Sequence, residues 1–372
     1  MVLRFPRVVL AVITLSVVTT FVGISVRAGT EIGSLLPASP MLEARSGHTA
    51  TLLPDGRVLV AGGMRRNQDF NKSAELYDPA TKKFQVTGEM NLARVGHAAV
   101  LLRSGKVLIV GGWVGHGCTD SAELYDPSIE KFVVIAKMTS RRGRPSATLL
   151  PNGEVLIAGG ADHDTPGGIA SAEIFHADSL RFEPVGSMHY PRISQTATLL
   201  NDGRVLIAGG RGESVTATAE LYDPQTKTFL QTGSMLTARY KHTAGLLPDG
   251  KVLVAGGSDD RDWEGLTNSA EIYDPRTEKF VVTSQLNDKR FKLPAESIQL
   301  PKGRVLVAGG SKRVEIYDES AKSFFFAAGQ MSDDWHFMTA TLLNDGTALL
   351  TGGYANNDLG TNQTWIFAPK KD

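Results

Sequence analysis

Apolar and polar positions along this chain form a cycle of about fifty residues that recurs seven times. Each cycle opens with a short run of small and apolar residues, such as 49–53, turns through a segment like Pro54-Asp55-Gly56, and continues into a second apolar run such as 58–60. Apolar runs this short, bounded by turn residues, read as two buried strands joined in a hairpin. Pro54 presets the first turn position, and Gly56 takes the left-handed conformation that returns the chain. A glycine pair closes each second run, at 62/63, 111/112, 159/160, 209/210, 256/257, 309/310 and 352/353. The third run follows as Ala-Glu-Leu-Tyr-Asp-Pro at 74–79, 122–127 and 219–224, with variants from 172, 270, 314 and 364. The fourth begins with Phe84, Phe132, Phe182, Phe229, Phe280 or the run at Phe324 and ends near Met or Leu.

The first glycines are separated by 49, 48, 50, 47, 53 and 43 residues, a spacing that predicts a closed array of like units. Four antiparallel strands per unit make one blade, so the expected fold is all-β: a seven-bladed propeller over 29–372. The chain runs out soon after Phe367, before a fourth strand for the last blade. Residues 35–41 align with 84–90, each stretch lying just before an Ala-Arg pair. An N-terminal strand near 31–40 is therefore expected to complete blade seven, closing the ring and removing a free sheet edge.

The diglycine after the second strand, the aromatic in the third and the aromatic opening the fourth resemble the kelch repeat, over essentially 31–372. WD40 repeats are disfavoured because no Trp-Asp dipeptide occurs. The resemblance implies a kelch-type propeller and leaves function open, since such propellers include binding modules, scaffolds and a few enzymes. The copper-radical oxidases with kelch-like domains use a Tyr-His pair and a cysteine linked to tyrosine. This chain has no Tyr-His dipeptide, and its single cysteine, Cys118, follows a glycine pair, which argues against that chemistry.

Strand parity predicts two unlike faces. The turns after strands one and three are short and repetitive, whereas the links after strand two and into the next strand one are irregular: 64–72, 113–120, 161–169, 258–267, 354–362, His189-Tyr190 and 333–336. Variable loops on a rigid scaffold are where binding resides. Trp113, Trp263, Trp335, Tyr190 and Tyr354 fall on or near that face, and amphipathic rings of this kind suit a peptide side chain or a saccharide. The alternative is that each ring packs its own loop onto a blade.

Arg45, Arg94, Arg142, Arg192, Arg239 and Lys292 open the innermost strands, with Trp335 in the seventh place. A positive ring at the channel mouth would suit a carboxylate or phosphate, and in kelch propellers that this chain resembles arginines at this column help bind acidic peptides. The competing reading pairs them with a matching column, Glu75, Glu123, Glu173, Glu220, Glu271 and Glu315, broken by Trp365, as ion pairs between strands. Most of these bases are followed three residues on by His48, His97, Pro145, Gln195, His242, Ala295 and Met338. Hydrogen bonding within the inner strands is the favoured role for the histidines, over metal binding. The acidic groups at Asp162-His163-Asp164, 259–264 and 333–336 lack a calcium-loop spacing, and His116 with Cys118 is a lone pair; no metal or cofactor is expected.

Composition adds limits. With 39 basic and 39 acidic residues the formal charge is zero, which argues against a nucleic-acid or anionic-membrane binder. One cysteine excludes an internal disulfide. Arg4 and Arg7 precede an apolar run over 8–26, and Val26-Arg27-Ala28 suits signal-peptidase cleavage, so 1–28 reads as a signal peptide or uncleaved anchor, and the domain as exported, periplasmic or extracellular. The expectation is a monomeric module binding a protein, peptide or glycan through its irregular face, with Arg45, Arg94, Arg142, Arg192, Arg239, Trp113, Trp263, Trp335, Tyr190, Tyr354 and His336 as candidates. The alternative is a carbohydrate-acid enzyme of epimerase or mutarotase type using His336, Glu264, Arg94 and Arg239.

Overall fold

Short apolar runs closed by turn residues become paired strands throughout the computed structural model, which describes residues 32–115, 117–162, 167–355 and 359–370. Residues 1–28, read above as a signal peptide or anchor, and His116, His163 and Asp164 lie outside the described residues. Among the described residues the strands form seven four-stranded antiparallel sheets and two small hairpins. Blade one runs Thr49–Leu52, Val58–Ala61, Ala74–Asp78 and Lys83–Val86 from the axis outward, and blades two to six repeat that order. Every second strand is buried on both faces, as in Val58–Ala61, because it lies between two other strands of its own sheet and between two neighbouring blades. Gly56 takes φ +87° at the tip of the first hairpin, as its turn requires.

Blades adhere through apolar faces. Leu59, Ala61 and Leu76 of blade one pack with Val107, Ile109 and Tyr125 of blade two. The repeated aromatics serve this contact: Tyr125 and Phe132 face each other across strands with centroids 4.8 Å apart, and the Tyr125 hydroxyl meets Thr87 of the preceding blade at 2.8 Å. Tyr273 and Tyr317 meet Thr232 and Thr283 of their preceding blades in the same way, a contact that phenylalanine could not make. The diglycines permit close approach: Gly62 has φ +67°, and a Cβ there would lie 2.8 Å from the Arg94 carbonyl of the next blade.

Ring closure follows the expected course. Gly33–Pro37 pairs antiparallel with Thr364–Pro369, from Gly33 opposite Pro369 to Pro37 opposite Trp365. Ile32 and Leu35 enter the core beside Phe367, so the first and last described strands share one sheet. Residues 31–372 form one compact unit.

Candidate functional site

The arginines do not line the channel. Arg45, Arg94, Arg142, Arg192 and Arg239 have no exposed surface, and each meets the glutamate of its own blade's third strand at 2.6–2.9 Å. Arg45 shows the geometry. Its Nη1 donates to the Gly62 carbonyl at 2.8 Å and to the Ser73 carbonyl, while its Nη2 reaches Ser73 Oγ and Glu75 at 2.6 Å. Glu75 also accepts the amides of Leu42 and Glu43. One guanidinium thus satisfies the carbonyl between the two glycines of the tight turn and ties the inner strand to the third. A ligand would find no free face on these five residues, because every donor direction is spent inside the protein or buried.

Two members of the expected columns shift. In blade six the paired base is Arg290, 2.7 Å from Glu315, rather than Lys292, and the residue three further on is Leu293 rather than Ala295. A two-residue insertion causes this: first glycines lie 17 residues after the other five arginines and 19 after Arg290. The spacing of four from the strand-ending Met or Leu, as in Met41 to Arg45 or Met235 to Arg239, identifies Leu286 to Arg290 correctly. In blade seven Trp335 occupies the arginine position and Trp365 the glutamate position; the rings stack at 6.2 Å and are buried. An apolar pair replaces the ion pair, so Trp335 is core rather than a loop ligand.

Two residues beyond each of these seven positions lies a different ring: Gly47, Gly96, Arg144, Ser194, Lys241, Lys292 and Phe337, all with φ between +49° and +61°. Glycine is the low-cost residue in that conformation, yet five blades carry side chains there, the kind of local strain that marks functional positions. Backbone hydrogen bonds join the ring, including Gly47 N to Phe337 O at 2.9 Å, Gly96 N to Gly47 O at 2.9 Å and Arg144 N to Gly96 O at 2.8 Å. The preceding residues bridge to the loops that follow the diglycines, as in Gly143 to Ala161 and Tyr240 to Ser258, which sets this ring at the channel mouth on the irregular face.

Three cations therefore stand at the mouth, from blades three, five and six. Arg144 is half-buried, its guanidinium 3.7 Å from the Phe337 centroid and 5.4 Å from that of Trp113. It has no hydrogen-bond or ion-pair partner among the described residues, and burial pulls its pKa down to about 10. Lys241 Nζ meets Asp262 at 2.9 Å beside the Tyr240 hydroxyl, which donates to the same carboxylate at 2.6 Å. Lys292 Nζ meets the Tyr354 hydroxyl at 2.6 Å and lies 4.1 Å from the Trp263 centroid. Phe291, fully buried, backs this aromatic wall, edge-on to Trp263 at 4.6 Å.

The remaining candidates divide. Trp263, on the 3-10 turn Asp262–Gly265, is 47% exposed and belongs to this wall, and half-buried Trp113 flanks Arg144. Tyr354 is buried but reaches the mouth through its hydroxyl. His336 is buried edge-on to Trp263 at 4.8 Å, and burial drops its pKa to about 4, leaving a neutral ring. Tyr190 is 40% exposed, apart from these contacts. Of the enzyme set, Glu264 is exposed while Arg94 and Arg239 are buried in ion pairs, so the four do not converge. His48, His97 and His242 each place Nε2 within 3.1 Å of a threonine hydroxyl, namely Thr351, Thr49 and Thr196 of the preceding blades. Among the described residues no group of three or more His, Cys, Asp or Glu side chains is placed to hold a metal ion.

Arg144, Lys241, Phe291 and Phe337 were missed in the sequence because no column of like residues announces them. For Arg144, Lys241 and Phe337 the signal is negative: they stand where blades one and two have glycine, whereas Phe291 stands where those blades have Ser46 and Val95.

Seven such blades with their diglycines and strand-three aromatics define a kelch-type β-propeller, a class that generally mediates protein interactions. The Kelch motif matches residues 44–91, 93–139 and 239–287, which cover most of blades one, two and five. A solved structure of a fungal alcohol oxidase of the AA5 family, in complex with copper, aligns with a TM-score of 0.73 and 16% identity, over 91% of this chain and 76% of that one. At that identity the likeness is one of fold. No curated protein matches the chain.

Proposed function

We propose that this propeller is a binding module whose channel mouth receives an acidic group of a protein or peptide, with Arg144, Lys241 and Lys292 as its cationic contacts and Trp263 and Phe337 as its aromatic wall. The observation that carries this reading is Arg144: a half-buried guanidinium stacked on Phe337, held in a strained backbone, with no anionic partner among the described residues. A planar donor fork so placed suits a carboxylate, and desolvation by the aromatic wall strengthens the contact. Exposed Trp263 supplies a face for an apolar neighbour of that group or for a sugar ring on a glycosylated partner.

An array of acidic and neutral peptides, followed by calorimetry on hits with Arg144→Gln and Lys241→Gln, tests this. Loss of a desolvated charge contact predicts at least about tenfold weaker binding in Arg144→Gln with an unchanged melting temperature. Binding indifferent to both substitutions removes the site. The module acts outside the cytoplasm as a monomer in this proposal, supported by the leader-like pattern of 1–28; fractionation of the full chain against a chain starting at Gly29 checks it.

A further inference from the structure

The insertion in blade six has a structural counterpart in blade five. The two additional residues fall ahead of the shortened inner strand Ile298–Leu300. The segment 295–297 runs parallel to the inner strand of blade five: Ala244 N donates to Ala295 O at 3.1 Å and Ser297 N donates to Ala244 O at 2.9 Å. Blade five accommodates it. Gly245 stands where the matching strands carry Thr51, Val100, Thr148, Thr198 and Thr341, and a Cβ on Gly245 would collide with Ser297 Oγ. Changes in two blades that fit each other mark a built feature rather than a loose loop.

This feature delivers a charge to the axis. Glu296 lines a central cavity of about 320 Å³ that also takes in Arg144, Lys241 and Phe337 of the mouth; the inner-strand residues that share it with Glu296 are small and neutral, including Thr49, Ala99, Ala147 and Ala197. The Glu296 side chain is open to the cavity and has no hydrogen-bond or ion-pair partner among the described residues. Enclosure raises its carboxyl pKa, and no cation opposes the shift. The volume sits at the lower end of ligand pockets, about 300–1,000 Å³, which suits one small molecule or a single side chain. An unpaired carboxylate among small neutral inner-strand residues gains most from an organic cation that brings both charge and donors.

We propose that the channel at Glu296 is a second binding site, continuous with the mouth, that receives an alkylammonium or guanidinium group with Glu296 as its anionic partner. It rests on the blade-six insert and not on the rim cations, so either site can fail without the other. The test is titration of the whole propeller, by calorimetry and by the 13C shift of the Glu296 carboxyl, with n-butylammonium, n-butylguanidinium and neutral n-butanol. Both cations are expected to bind and to lower the carboxyl pKa, and to bind at least about tenfold more weakly to Glu296→Gln. Binding of n-butanol should not differ between the two proteins, and Arg144→Gln should retain the cations. Glu296→Gln should melt like the parent, since no internal contact is lost. Equal cation affinity in Glu296→Gln, or a Glu296 carboxyl shift unmoved by either cation in the parent protein, overturns the proposal.

Discussion

Replacing Arg239 with Met separates the two sets of basic residues, because it removes a charge from the blade interior while leaving the mouth untouched. Arg239 donates to the carbonyls of Gly256 at 2.6 Å and Ser269 at 2.9 Å, to Ser269 Oγ at 2.8 Å and to Glu271 at 2.9 Å. Methionine fills the stem but supplies no donor, so Glu271 is left buried with only the amides of Leu236 and Thr237. Removing one partner of a buried pair costs about 3–5 kcal/mol, chiefly the uncompensated charge. For a propeller of roughly 340 residues, an unfolding entropy of about 2.1 cal/mol/K per residue converts 4 kcal/mol into a melting shift of ~6 °C. Adding Glu271→Gln should recover roughly half of the loss, because a neutral amide oxygen still accepts from Leu236 and Thr237 without a buried charge. Thermal melts by circular dichroism read all three proteins. A single variant that melts within a degree of the parent, or a double variant no better than the single, refutes the account. Peptide binding below the melting range should be unaffected, in contrast to Arg144→Gln.

A chain starting at Met41 lacks Ile32, Leu35 and five paired residues of blade seven, and should lose roughly 5 kcal/mol, at ~1.5–3 kcal/mol per buried aliphatic side chain plus the freed edge; a melt equal to that of a chain starting at Glu31 would rule out closure by this strand. Acid should unfold the protein between about pH 6 and 4: burial holds His97 to about 3 and His336 to about 4, and keeps His48 and His242 well below the ordinary value. The folded pKa is depressed, so the unfolded chain binds the proton first, and stability falls as pH drops below about 6.5, by ~2.7 kcal/mol at pH 4.5 for His97 alone. His97→Gln, copying Gln195 of blade four, should flatten that dependence in urea titrations, and equal slopes would refute the assignment. Gly245→Thr, which restores the residue common to other inner strands, should destabilise by about 1–3 kcal/mol through its collision with Ser297. A melt unchanged or raised would show that the insert is not seated on blade five.

Much of the architecture was legible from local chemistry, and the site was legible only in part. Ser73 stands just ahead of the third strand of blade one and Glu75 within it, two residues apart, and blades one to five repeat this pairing of a hydroxyl and a carboxylate on an arginine. A column that regular signals a role common to most blades, which is structural. Lys292 entered the wrong column because counting back from Gly309 absorbs two residues that belong to the insert, and only pairing with Glu315 shows that Arg290 is the counterpart. His336 and Trp335 are adjacent in sequence yet do different things: one meets the aromatic wall at the mouth, the other fills the space of a missing ion pair.

The sequence by itself determined the number of blades, the four strands of each, the turn chemistry and the strand that closes the ring, because these depend on short-range periodicity and on counting. It also determined the pairing of arginine and glutamate columns as one of two readings. Tertiary structure decided between them, since only packing shows that every guanidinium of that column is spent on its own blade. It also assembled the mouth from single residues of blades three, five, six and seven, and set Glu296 on the axis against Gly245. Those groupings join positions from different blades that share no motif, and ring closure brings them together.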